Sequence, residues 1–210
     1  MAMQSLHDVL VDLVKDTYHA EKQLLRALPK LAKAASDESL RRAFEDHLGE
    51  TETHVTRLER VFGILEMKPV AKTCHGMLGL IEEGAEVMKE SDDGTEAAVD
   101  AALIAAAQKV EHYEISAYGT MITFAETLGL DEIADIFKET LDEEEAADEK
   151  LSAVAEQTVN ASAASAGEDD EEGEEGEEKD ASDGDKPAAK SKRETSKRTK
   201  SSSSDASKSE

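Results

Sequence analysis

Two glutamates stand at matching places inside otherwise apolar helical stripes, and this pattern most narrows what the chain can fold into. Thr17, Glu21 and Leu24 follow an unbroken four-three spacing, and Val110, Glu114 and Ala117 follow the same one. The likeness extends along the chain at a constant offset of 93 residues. His19-Ala-Glu21 falls on His112-Tyr-Glu114, Leu48-Gly-Glu50 on Leu141-Asp-Glu143, and Leu58 on Leu151. A spacing shared in this way argues for a duplicated unit related by a pseudo-two-fold axis. At such positions a helical bundle takes apolar side chains, and a buried carboxylate is costly unless it is paired or bound to metal.

The repeating unit reads as a helical hairpin. Apolar residues recur at helical spacing, with only Pro29 and Pro69 before the C-terminal tail. Leu10, Val14, Leu24, Leu28 and Leu31 mark a first helix over about residues 3–35, with a kink expected at Pro29. Ser36 is placed to cap a second helix, whose stripe runs through Leu40, Phe44, Thr51, Leu58, Phe62 and Leu65. A long connection follows, carrying its own amphipathic piece with Met77, Leu78, Ile81, Ala85 and Met88 on one side. The segment from Ser91 to Thr95 ends that piece and caps a third long helix, over about 96–127. Gly129 stops it, and Asp131 caps a fourth that reaches about residue 157. Two tight hairpins joined by one long crossover give an all-α fold with the connectivity of ferritin-like four-helix bundles.

Composition divides the chain near residue 159. Residues 1–158 carry 34 acidic and 15 basic side chains and form the expected bundle domain. Residues 159–210 hold an acid block from Glu168 to Asp185 and then a Lys/Ser-rich end, with almost nothing apolar to bury, so this tail is expected to be disordered. Its basic stretch offers weak contact with nucleic acid or another acidic partner, but a solvated, charge-mixed tail is the simpler reading. With 34 acidic against 15 basic side chains, a net of −19, the folded part is not expected to bind duplex DNA. Cys74 is the sole cysteine, which excludes an intrachain disulfide and any cysteine-built metal cluster. No segment has the apolar run of a signal peptide or a membrane span, so a cytoplasmic setting is expected.

The metal-directed candidates extend from Glu21 and Glu114. On the second helix His47, Glu50 and His54 fall within about 60° of arc and can face one way. The fourth helix answers with Glu143, and the third adds Glu111 one turn before Glu114. Tyr18, the counterpart of Glu111, is placed to hydrogen-bond a ligating carboxylate. Other readings stand beside these. Glu21 and Glu114 can be edge residues or partners of Arg or Lys, and His47 and His54 can be hydrogen-bonded core histidines. Glu139 and Glu144 sit at the edges of the same face, in an acid-rich run that reads mainly as solvated. His19 and His112 point away from the neighbouring inward glutamates and read as surface residues.

At these residues the sequence resembles the YciE/YciF family of ferritin-like stress proteins. The segments that carry the likeness are Asp16-Thr-Tyr-His-Ala-Glu21, His47-Leu-Gly-Glu50-Thr-Glu, Lys109-Val-Glu-His-Tyr-Glu114 and Glu139-Thr-Leu-Asp-Glu143-Glu. The resemblance implies a cytoplasmic, stress-linked homodimer with a dinuclear centre, of iron or manganese. The ferritin-like pattern sets single glutamates on two helices and Glu-x-x-His on the other two. It carries over to Glu21 and Glu114 as end ligands and to Glu50 and Glu143 as bridges, whereas its histidines do not: Thr53 and Ala146 stand in their places. The function expected is redox chemistry on Fe(II), O₂ or H₂O₂, of ferroxidase or catalase type. The alternative is a non-enzymatic stress protein working through self-association or partner binding.

Overall fold

The computed structural model describes residues 3–90 and 94–166 of the 210-residue chain. Its elements are helices α1 (Leu6–Ala34), α2 (Glu38–Ile64), α3 (His75–Glu90), α4 (Glu96–Thr127) and α5 (Asp131–Val154). A π-helical turn, Ala155–Val159, then leads into α6 (Asn160–Ala166). α1 packs on α2 and α4 on α5, so each half is an antiparallel hairpin. The hairpins meet through α1 against α4 and α2 against α5.

Short polar residues and backbone geometry set the helix ends. The Ser5 hydroxyl accepts from Asp8 N, and Thr95 does the same for Ala98 N. Asp37, rather than the expected Ser36, caps α2, its carboxylate accepting from Ser39 N and Leu40 N. Asp131 lies in the first turn of α5 and not at its cap, which falls on Leu130 without a side-chain bond. Gly129 takes φ +69, a left-handed backbone that glycine adopts freely, and so reverses the chain between α4 and α5. α1 continues through Pro29 to Ala34.

The crossover is fastened along α1 before α3 packs on α1 and α4. Lys72 N donates to the Lys15 carbonyl, Lys72 Nζ pairs with Asp12 at 2.6 Å, and Cys74 N donates to His19 Nδ1. His19, expected at the surface, is thus half-buried and holds the crossover in place. His112 is exposed, as expected.

The helical part also runs past the composition break. Val159 is buried against the core that Leu24, Leu28, Phe44 and Leu103 share, and α6 packs on α4. The disorder expected for residues 159–210 therefore does not hold as far as Ala166, and from 167 onward it lies outside the described residues.

The apolar interior forms two clusters rather than one. One gathers Leu24, Leu28, Phe44, Leu103, Val110 and Leu151, and the other Leu10, Val14, Leu58, Phe62, Met121 and Phe137. Every long helix contributes to both, and between its two contributions each helix places polar residues: Glu21, then His47, Thr51 and His54, then Glu111 and Glu114, then Thr140 and Glu144. A buried polar layer divides the bundle at mid-height.

Candidate metal centre

Six residues of that layer, Glu21, His47, His54, Glu111, Glu114 and Glu144, each expose 5% of their surface or less. Their ligand atoms fall into two groups, each with all atoms within 4.8 Å of one another. One group is His47, Glu111, Glu114 and Glu144; the other is Glu21, His54 and Glu144. Glu144 belongs to both. The two groups adjoin and share this carboxylate, and each has the residue types that could hold a cation.

Interatomic distances put the inner nitrogens of both histidines in ion-pair range of the carboxylates, without hydrogen-bond geometry. His47 Nε2 lies 3.5 Å from Glu111 and 3.6 Å from Glu144. His54 Nδ1 lies 3.1 Å from Glu144 and 3.5 Å from Glu21, without hydrogen-bond orientation. Among the described residues nine buried side-chain nitrogen or oxygen atoms lack a hydrogen-bond partner, and eight of them belong to these six residues. Folded proteins leave such groups unsatisfied rarely, because each costs about 1–3 kcal/mol. Eight such atoms on residues of these two groups fit divalent cations, and a shell of carboxylate oxygen with imidazole nitrogen suits iron or manganese.

The outer atoms of both histidines are engaged instead. Glu50 meets His47 Nδ1 at 3.1 Å, and Glu143 meets His54 Nε2 at 2.8 Å. Arg57 holds Glu143 with a two-pronged contact, Nη2 at 2.9 Å from Oε1 and Nη1 on Oε2. Carboxylates bonded to the far nitrogen of a ligating histidine fix its tautomer and ring orientation. Tyr118 adds a further tie, donating to Glu21 Oε1 at 2.5 Å in the buried layer.

Burial and mutual charge shape the protonation of the metal-free cluster. Burial pushes the carboxyls of Glu21 and Glu114 above the usual range and Glu111 up to about 8. For the histidines burial works downward, but it is outweighed. The Glu50 contact and the charges of Glu111 and Glu144 raise His47 to about 9, and Glu144 and Glu21 raise His54 to about 11. Glu143 moves the other way, lowered chiefly by Arg57.

The structure brings together five of the seven residues expected from sequence: Glu21, His47, His54, Glu111 and Glu114. The other two, Glu50 and Glu143, contact the outer nitrogens of His47 and His54 and lie outside both groups, with side-chain exposures of 44% and 33%. The α5 carboxylate that belongs to both groups is Glu144. Helical geometry gives the reason. The buried stripe of α5 runs Phe137, Thr140, Glu144, Leu151, so Glu143 lies about 100° off it at the rim. On α2 the stripe is His47, Thr51, His54, and Glu50 lies off it in the same way. Tyr18 is also placed differently from expectation, donating to Glu59 at 2.7 Å, while Tyr118 takes the role foreseen for it. The four-three spacing that marks Glu21 and Glu114 also marks Glu144 and Tyr118.

Comparison with known proteins agrees with this architecture. The family described as a domain of unknown function, DUF892, matches residues 5–164. Protein YciF of Escherichia coli strain K12 is 51% identical over 164 residues, spanning 78% of this chain and 98% of its own. The crystal structure of that stress protein superposes with a TM-score of 0.72 at 49% identity, covering 75% of this chain and 99% of the other. A Rhodopseudomonas palustris protein described as a candidate structural protein matches at TM-score 0.69 and 40% identity, covering 71% and 94%. A Xanthomonas campestris protein shares the fold at TM-score 0.60 and 23% identity, covering 75% and 95%. With the family model matching residues 5–164 and YciF identical at 51% of the 164 aligned residues, the protein belongs to the DUF892 family, together with YciF.

Proposed function

We propose that the buried layer holds two divalent metal ions, iron or manganese, and that the protein uses them on Fe(II), O₂ or H₂O₂ under stress. The observation that carries this reading is the convergence of eight unsatisfied buried polar atoms on two overlapping ligand groups. When bound, such a metal pair supplies one-electron steps to a small oxidant, the chemistry that ferroxidase and catalase-type reactions share. The chain's own residues prepare the place. Glu144 serves both positions; His47, Glu111 and Glu114 complete one, and Glu21 and His54 the other. Glu50 and Glu143 orient the two histidines, and Tyr118 holds Glu21 in place with a proton available at its hydroxyl. The two apolar clusters above and below exclude bulk water from the layer. A soluble homodimer in the cytoplasm completes this reading; no described helix is long and apolar enough to cross a membrane.

A non-enzymatic, structural role is the second reading, favoured by the description of the Rhodopseudomonas relative as a candidate structural protein. Metal analysis separates the two. Protein purified without chelator and reconstituted with Fe(II) or Mn(II) is expected to hold about two ions per chain, and the Glu114→Ala/Glu144→Ala double variant almost none. Fewer than about one ion per wild-type chain after reconstitution excludes the metal reading. Where metal binds, consumption of O₂ or H₂O₂ by the loaded protein distinguishes a redox enzyme from a metal-stabilised scaffold.

A further inference from the structure

The buried layer is not sealed evenly. On the α2–α5 side a cavity of about 90 Å³ opens beside the first ligand group, lined by Ala43, His47, Glu50, Glu111, Ala146 and Ala147. Its floor is buried: His47 and Glu111 are 5% and 3% exposed, and their unpartnered atoms Nε2 and Oε2 belong to residues of this lining. Its rim is open, with Ala146 exposed and the Glu50 side chain 44% exposed. Lys150, also on the lining, is paired with Asp46 at 2.6 Å, so its charge there is compensated. The opposite histidine is guarded differently, because Glu143 is clamped by Arg57. Glu50 is held by its hydrogen bond to His47 and, among the described residues, has no such arginine clamp.

Resting on the metal reading above, we propose that this cavity is the route by which cations and small oxidants reach the centre. Glu50 is its transfer carboxylate. It meets an incoming divalent ion at the rim and swings with it toward His47 and Glu111, where the unsatisfied ligand atoms take over. Alanine at three lining positions keeps the passage open where larger side chains would close the gap between α2 and α5. The space admits a few water-sized molecules, which restricts substrates to metal ions, O₂ and H₂O₂ and excludes bulky organic ones.

The test is the kinetics of loading with Co(II), whose visible absorption reports coordination, and of stripping with EDTA. Ala146→Phe places bulk on an exposed residue and leaves packing intact; Ala147→Leu fills the passage deeper, and Ala146→Ser keeps it open. Both bulky variants are expected to bind the same final number of ions as wild type, but to load and release them at least about tenfold more slowly, because entry then awaits an opening fluctuation. Ala146→Ser is expected to match wild type. Glu50→Gln is expected to lower the loading rate itself. If Glu50 only orients His47, the substitution speeds release and leaves loading unchanged, which overturns the transfer role. Wild-type loading rates in both bulky variants overturn the route while leaving the metal reading standing. No Co(II) uptake by the wild type overturns both.

Discussion

Glu143 and Glu144 are adjacent, equally acidic and in one acid-rich run, yet the fold gives them opposite tasks. Glu144 is fully buried among ligand atoms, whereas Glu143 sits at the rim between Arg57 and His54. Substitution separates the tasks. Glu144→Gln removes the shared ligand and is expected to cut bound metal to about half or less, read by elemental analysis. Glu143→Gln retains the stoichiometry but weakens metal affinity by about 10–100-fold, because His54 loses the partner that orients it. Equal stoichiometry in Glu144→Gln and wild type would show that Glu144 is no ligand. At this scale the sequence was legible where a side chain obeyed helical spacing, as Glu21, Glu114, His47 and His54 do. Where the family pattern and the repeat pointed to Glu143, the side chain that enters the buried layer is its neighbour Glu144. The duplication aligns Glu143 with Glu50, and both make the same kind of contact, each to the outer nitrogen of a histidine. Glu144 has Thr51 as its counterpart, so the two halves differ at this buried position.

At the scale of elements, the four long helices and the extra crossover helix follow from apolar periodicity, and their ends from caps and a glycine. The contact that periodicity could not reveal is Asp100. Buried in α4, it accepts from Ser36 N at 2.9 Å and Asp37 N at 2.7 Å, joining the α1–α2 turn to the other hairpin. A bond across 64 residues leaves no local trace in the sequence. Charge-assisted bonds to backbone donors are the strong kind, so Asp100→Ala is expected to cost about 2–3 kcal/mol by denaturant unfolding. Asp100→Asn, which keeps one acceptor, should lose less. A change within about 0.5 kcal/mol for the alanine variant would show that solvent replaces both bonds.

For the molecule as a whole, the polar layer makes stability depend on pH in a direction set by protons rather than by net charge. In the metal-free protein Glu21, Glu111, Glu114, His47 and His54 all titrate higher than they do in an unfolded chain. The folded state therefore binds more protons than the unfolded one, and stability falls as pH rises. The stabilisation is complete below the ordinary carboxyl value of 4.5 and is lost as pH climbs through about 8 for Glu111 and about 9 for His47. Glu143, shifted downward, acts only below this window. The Tm of chelator-treated protein is thus expected to fall steadily between about pH 5 and pH 9. Metal reverses the balance, since ligands must shed their protons to bind it. Added Mn(II) should raise Tm little at the acid end and most at the alkaline end, with proton release measurable in weakly buffered solution. A metal-free Tm that is flat or rising across this range would mean that the layer carries no excess protons, and that its carboxylates are balanced by something other than one another and two histidines.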